Sequence, residues 1–416
     1  VSAAGGPPQP VTLAARHVLP MASPPIEGGW VRLDRGRIAA VGRGRPGGRV
    51  VDLGDAIILP GLVNAHTHLE FSDLPRPLPL DGGLVAWIER VVTLRRSREP
   101  GAREGRRLAA AVTAGLRESA AAGVTAIGEI ATASPPSIHE PGPRVRVFRE
   151  TLGLSADAMT AAGAALQRDL DRLAAMHGGI SPHAPYSVGP ALGRLAIAAA
   201  VRRRLPVAMH LAETRAEAEL IATGAGGFRG LLERLGAWRP GGAPRLLAVA
   251  DWISLLARAP RGLVVHGTFL PEDAAALSRL ARHRDRLCVA VCPRTTLAIS
   301  GVQPPVRVFR AAGVRVAIGT DSRASNPDLS VLAECRTLVD GGVATPAEAV
   351  SMATIDGAWA VGFERRCGSL ACGRPADVVV LRPAVAGGDP FAAALDPATR
   401  IVATLRRGRP IAGGLA

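Results

Sequence analysis

The chain has 416 residues, of which 48 % are hydrophobic and 20 % charged, so it is a globular protein with a sizeable core rather than a disordered polymer. The formal charge is +15 and every basic residue is arginine, because no lysine occurs. The arginines are scattered, with no run longer than 202–204 and no interleaved aromatics, so the charge reads as a coding bias toward Arg, Ala, Gly and Pro, not as a nucleic-acid footprint. Five cysteines in a chain of this size argue against a disulfide framework, and Cys288 and Cys292 read as core. No basic start followed by an apolar block opens the sequence, and no run of about 18 apolar residues occurs. A soluble, cytoplasmic protein with no membrane partner is expected.

Residues 11–58 read as short strands separated by Gly and Pro, with a hairpin turning at Arg35-Gly36 in "GGWVRLDRGRIAAVG". The C-terminal stretches "GSLACGRPADVVVLRP" and "TRIVATLRRGRPIAG" are also β-like. Residues 1–58 plus 367–416 are therefore expected to pair into one small β-sandwich domain, since chain termini often lie close together. Between them, strand candidates fall at Leu62 to His68, Val124 to Ile130, Arg144 to Leu152, Gly179 to Pro185, Pro206 to Thr214, Leu263 to Phe269, Leu287 to Pro293 and Val314 to Asp321. Helical stretches such as Gly105 to Ala122, Ala191 to Arg204 and Glu272 to Arg282 separate them. Strands alternating with helices imply parallel pairing, and eight such units predict an α/β fold, a (β/α)8 barrel over 59–366. A doubly wound open sheet is the alternative, but no glycine-rich dinucleotide fingerprint follows an early strand.

The polar residues gather at one end of these strands. His66 and His68, His183, His210, His266 and Asp321 all fall at C-terminal strand ends, the face where barrel enzymes carry their chemistry. In "HTH", positions i and i+2 point to the same side, so His66 and His68 can grip one ion. His210 in "VAMHLAET" and Asp321 in "AIGTDS" complete three imidazoles and a carboxylate, a set that suits one divalent ion: Zn²⁺, or Fe²⁺ or Mn²⁺. Such an ion lowers the pKa of bound water from 15.7 to about 7. The missing lysine excludes a carbamylated-lysine bridge between two metals and favours a mononuclear site, although Glu129 and Glu150 near strand ends leave a second ion open.

Glu213, three residues after His210, is placed to carry a proton from the attacking water to a substrate nitrogen; the plainer reading is a first-turn acid of the following helix. His266 either orients the water and stabilises charge in the transition state or binds the metal directly. Asp321 can double as the base. His183 in "SPHAPYSV" is braced by Pro182 and Pro185 and, with Glu70, is a candidate for substrate contact. His17, His139, His177 and His283 fall outside this geometry and receive no role.

Over nearly its whole length the chain resembles the amidohydrolase superfamily, in the aminohydrolase branch of adenosine-type, S-adenosylhomocysteine and aminodeoxyfutalosine deaminases and triazine chlorohydrolases. The strings that carry the likeness are "GRIAAVG", "LPGLVNAHTHLEFSD", "SPHAPYS", "MHLAET", "VVHGT", "VCPRTT", "IGTDSRASNPDLSVLAE" and "ATIDGAWAVGFERRCGSLACGRPADVVVL". The resemblance implies a distorted (β/α)8 barrel with a β-sandwich from both termini. It also implies His66, His68, His210 and Asp321 as metal ligands, Glu213 as proton shuttle, His266 as water-orienting partner and His183 as a substrate contact. Three positions depart from the family pattern: Thr295 and Thr296 stand where Ser and Asn are usual, and Arg374 stands where a lysine is common. The activity implied is hydrolytic deamination of a purine nucleoside or related aminated heterocycle, adenosine-like or aminodeoxyfutalosine-like. The alternatives are hydrolysis of another C–N or C–Cl bond, a non-catalytic scaffold on the same fold, and, from the charge alone, a nucleic-acid binder. Assembly into a homo-oligomer is left open.

Overall fold

The computed structural model describes residues 10–98, 101–132, 141–176, 178–238, 246–385 and 387–415. His139 and His177 lie outside them.

Among the described residues, sixteen strands form two sheets. The N-terminal run is β1 Val11–Val18, β2 Ile26–Asp34, β3 Arg37–Arg43, β4 Val50–Asp52 and β5 Ile57–Pro60. The barrel strands are β6 Leu62–Thr67, β7 Val124–Ala131, β8 Arg144–Thr151, β9 Gly179–Pro182, β10 Val207–Leu211, β11 Gly262–His266, β12 Leu287–Val291 and β13 Arg315–Ile318. β14 Val378–Arg382, β15 Arg400–Arg406 and β16 Arg409–Gly413 close the chain.

The terminal strands form a mixed sheet ordered β16-β15-β14-β5-β1-β2-β3, with β4 paired to β1. The β2–β3 hairpin turns through Arg35 and Gly36, both at positive φ, as a two-residue turn between paired Asp34 and Arg37 requires. β3 and β16 are the outer strands of the order, yet a Cβ on Gly36 would lie 2.9 Å from Arg407 O in the β15–β16 turn. The sheet therefore curls until its two ends meet. Leu13, Val31, Ile38, Ile58, Val378, Val380 and Leu405 from both termini fill the single core it encloses. β5 joins this sheet by pairing with β1 and β14, and Gly61 alone separates it from β6.

The eight strands β6 to β13 pair in chain order, all parallel. A bridge between Thr67 and Asp321, with Thr320 N–H and Asp321 N–H donating to His66 O at 3.1 Å each, joins the last strand to the first and closes the barrel. Gly319 makes the closure feasible: a Cβ there would sit 2.7 Å from His66 Cβ and O. Small side chains, among them Ala65, Ala126, Ala208, Ala290 and Ala317, pack inside with Val63, Phe148 and Val265. The outward faces of the strands pack against the helices through Leu62, Ile127, Val207, Met209, Val264 and Val289. Burial on both faces is why these strands read as continuous apolar runs.

Several strands end earlier than the apolar runs suggest. β10 stops at Leu211 rather than Thr214 and β13 at Ile318 rather than Asp321. The backbone turns out of the sheet there, with positive φ at Ala212 (53°), His266 (65°) and Asp321 (54°). The long helices start within about three residues of their expected positions, at Ala102, Pro190 and Ala274. All five cysteines are free, with Cys288 and Cys292 buried as core residues. No helix among the described residues is long and apolar enough to cross a membrane.

Candidate metal centre and active site

The C-terminal ends of the barrel strands bring the expected residues together. His66 is fully buried and His68 nearly so, and their rings sit 5.0 Å apart, centre to centre. His210 Nε2 lies 3.3 Å from His68 Nε2, and one ring nitrogen from each of His66, His68 and His210 falls within 4.8 Å of the others. His210 Nδ1 is 3.1 Å from His183 O, so it donates its N–H there and keeps Nε2 turned to the cluster. Asp321 Oδ1 stands 3.7 Å from His66 Nε2 and 3.8 Å from His68 Nε2. The other Asp321 oxygen is held by Ser325, whose hydroxyl donates at 2.7 Å. Ser325 in turn accepts from Thr295 at 3.2 Å, so one of the two departures in "VCPRTT" is part of the support behind the aspartate.

His66 has both ring nitrogens buried without a hydrogen-bond partner among the described residues. A buried imidazole left so is costly. Three imidazoles and a carboxylate oxygen converging from β6, β10 and the end of β13 are the donor set that a divalent cation takes. The residues fit such an ion.

Electrostatics divides the site into acids and bases. Burial pushes the Glu213 carboxyl well above its usual range, and the charges of Asp321 and Glu217 add to the effect. Burial also opposes the charge on Asp321, but contact with His66 and the fields of His68 and His266 outweigh it and hold that carboxyl well below its usual range. Two carboxyls driven apart in this way are the mark of one proton carrier and one permanent anion. Glu213 Oε1 is 3.5 Å from His266 Nε2. Burial lowers His266 to about 4, and burial followed by the field of Arg95 lowers His183 to about 3, so both are neutral at pH 7.

His183 and Glu70, both expected to meet substrate, take different surroundings. His183 Nδ1 is 2.6 Å from Ser187 Oγ, and its ring lies 4.9 Å from that of His210. Glu70 accepts from Arg95 at 2.6 Å and from Thr132 at 3.3 Å, so its carboxylate is already engaged. Glu129 accepts Leu69 N–H at 3.0 Å with both oxygens, which ties the segment after His68 to β7.

Three contributors escape a reading of the sequence. Arg95, at the end of the helix Gly83–Arg96, reaches the site face to pair with Glu70 and stacks over Phe71 at 5.2 Å. Glu217 accepts from Ala212 N–H at 2.9 Å and Glu213 N–H at 3.0 Å, holding the strained turn that presents Glu213. Ser325 fixes Asp321, as above. Only Glu217 leaves a local signal, an acid four residues after Glu213 in the first turn of a helix.

A closed parallel barrel with this donor set on its C-terminal face defines the class of metal-dependent barrel hydrolases. The chain belongs to the amidohydrolase family, whose model matches residues 57–411, and is accordingly a metal-dependent hydrolase of carbon–nitrogen bonds. It is similar to 5-methylthioadenosine/S-adenosylhomocysteine deaminases. One, from Halobacterium salinarum, is 32 % identical over 378 residues, covering 86 % of this chain and 80 % of the relative. Another, from Moorella thermoacetica, is 29 % identical over 393 residues, covering 88 % and 83 %. Among solved structures, Helicobacter pylori aminofutalosine deaminase in complex with methylthio-coformycin superposes with a TM-score of 0.79 at 21 % identity, over 96 % of this chain and 100 % of that one. An adenosine deaminase from Xanthomonas campestris with bound zinc gives 0.72 at 24 % identity, over 97 % and 93 %. At these identities the two structures carry the fold.

Proposed function

We propose that this protein is a hydrolytic deaminase that replaces the amino group of a purine nucleoside or a related aminated heterocycle by oxygen, releasing ammonia. The observation that carries this is the buried Glu213, its carboxyl pushed up by burial, 3.5 Å from His266 at the edge of the His66–His68–His210–Asp321 cluster. The relatives named as deaminases of adenosine-like nucleosides support the choice of substrate class.

His66, His68, His210 and Asp321 would hold one divalent ion, for which we propose Zn²⁺; a zinc-bound structural neighbour is consistent with it. When bound, such an ion makes hydroxide available near neutral pH by lowering the pKa of water. The remaining chemistry belongs to side chains. Asp321, ionised, takes a proton from the attacking water while His266 Nε2 orients it. Glu213 delivers its proton to the ring nitrogen next to the reacting carbon, Asp321 hands the proton it took from the water to the departing amine, and the proton shed by the new hydroxyl returns to Glu213. His183 and Glu70 border the space the substrate fills. In this reading the barrel of residues 59–366 does the chemistry, and residues 1–58 plus 367–416 form the supporting domain.

Ammonia release from adenosine, S-adenosylhomocysteine and 5′-methylthioadenosine tests the proposal, with a chlorotriazine as control. Release from at least one nucleoside supports it. No release from any nucleoside, or chloride release instead, overturns it. Cytoplasmic residence is proposed with it, checked by fractionation. So is the absence of a nucleic-acid partner, in keeping with arginines spent in ion pairs such as Arg294–Glu334 and Arg149–Asp169. A DNA titration whose affinity falls steeply with salt would overturn that point.

A further inference from the structure

One acid on the catalytic face has no task in this scheme. Glu150, next to last in β8, is 2 % exposed, and neither of its carboxyl oxygens receives a hydrogen bond among the described residues. Facing it at 4.0 Å is His183 Nε2. The other nitrogen of that ring is anchored. Ser187 Oγ lies 2.6 Å from His183 Nδ1, and the Ser187 hydroxyl donates to Ala184 O at 3.2 Å. A hydroxyl has one hydrogen, so Ser187 accepts the Nδ1–H of His183. That leaves His183 Nε2 as a bare lone pair. Burial raises the Glu150 carboxyl to about 7, so above that pH it and His183 Nε2 are two acceptors facing one another across a distance that a shared donor would bridge.

A second cation is the first occupant to weigh, because donor atoms of Glu150, His183 and His210 lie within 4.8 Å of one another. His210 cannot serve it. Its Nδ1 is committed to His183 O, and its Nε2 belongs to the cluster with His66 and His68. One lone pair binds one ion, so only two donors remain, fewer than a protein metal site ordinarily uses. Glu70 adds none, being held by Arg95.

We propose that Glu150 and His183 form a second subsite, an acceptor pair that takes hydroxyl donors on the non-reacting part of the substrate. This rests on the deaminase reading and deepens it. In a nucleoside whose amino group reacts between Glu213 and His266, the remaining strong donors are the sugar hydroxyls. β9 flanks β10 on the side opposite β11, which carries His266, and β8 lies beyond β9, so the subsite extends away from the reacting ring across the same face. Glu150 is then a specificity-determining residue that selects nucleosides over free bases.

The test compares wild type, Glu150→Ala and Glu150→Gln on adenosine, 2′-deoxyadenosine and 3′-deoxyadenosine. The readouts are kcat/KM, metal content per chain, and the Kd of inosine and its deoxy forms. Glu150→Ala should lower kcat/KM for adenosine and weaken inosine binding about 10- to 100-fold, the effect of losing a hydrogen bond to a charged group. The loss should shrink to about threefold or less on the analogue that lacks the recognised hydroxyl, with metal content unchanged. Glu150→Gln, which keeps one acceptor oxygen and the shape, should fall in between. Equal losses on all three nucleosides overturn the inference while leaving deamination intact. So does a wild-type content of two ions falling to one in Glu150→Gln, which would make this a cation site. If the wild type releases no ammonia from any nucleoside, the deaminase reading fails and this inference falls with it.

Discussion

The two ends of the barrel treat polar side chains in opposite ways, and a single strand shows both. In β8, residues 146, 148 and 150 share one face. Arg146, at the lower end, donates to the carbonyls of Val361, Gly178 and Gly362 and lies over the Phe363 ring at 4.8 Å. Phe148 fills the middle. Glu150, at the upper end, receives no hydrogen bond among the described residues. Other residues at each end show the same tendency, although Arg315 Nε and Thr125 Oγ1 at the lower end are also buried without a hydrogen-bond partner among the described residues. Below, Arg261 pairs with Glu364 at 2.8 Å and covers Trp359, and Arg315 pairs with Asp356 at 2.7 Å. Above, the ring nitrogens of His66 have no hydrogen-bond partner among the described residues, and Ala212, His266 and Asp321 sit at positive φ. Satisfied groups hold the closed barrel together; unsatisfied and strained groups are kept for something that binds.

That contrast can be broken from either end. The largest effect is expected from Asp321→Asn, which would remove both the proposed cation donor and the proposed base: ammonia release should fall to the blank and metal content should drop. Chelation should do the same to the wild type, with activity restored by Zn²⁺. An Asp321→Asn protein that keeps its activity would sink the assignment. Glu213→Gln should retain metal and fold but lose about 10²- to 10⁴-fold in kcat, the usual share of a proton carrier; an unchanged kcat would move that role elsewhere.

At the lower end the currency should be stability. Arg146→Met strands three carbonyls and should cost on the order of 3 kcal/mol, seen as a lower denaturant midpoint, with KM unchanged. A change in KM without a change in midpoint would erase the distinction between the two ends.

Glu217 sharpens the boundary, because it belongs to the upper face yet is satisfied. Burial raises its carboxyl from 4.5 to about 7, against the pull of the two backbone N–H groups it accepts. The folded state therefore binds this proton more tightly than the unfolded state. The stability from that difference is fully present below pH 4.5, declines as the pH rises and is gone by about pH 7. Glu217→Gln should flatten the slope across this window in denaturant titrations at several pH values. An unaltered slope would mean that another group produces it.

Much of this was legible in the sequence for a simple reason. A parallel strand buried on both faces is a run of apolar residues, and a ligand at its end is a polar residue that stops the run, as in "VAMHL" and "GLVVH". All eight barrel strands and the cluster of His66, His68, His210 and Asp321 follow from that pattern. The strand ends did not follow, because composition stays apolar through Ala212 while the backbone has already turned. Nor did the pairing of β5 with β14, which joins residues more than three hundred positions apart.

By itself, then, the sequence determined the order of strands and helices, the hairpin at Arg35-Gly36 and which side chains end which strands, since periodicity and turn chemistry are local properties of the chain. Only the tertiary structure decided how β13 closes on β6, that Arg95 answers Glu70, that Glu217 props Glu213, and that Glu150 faces His183 with no hydrogen-bond donor among the described residues. Each is a meeting, or a failed meeting, between side chains that folding brings face to face, and no local pattern specifies which buried group will find a donor.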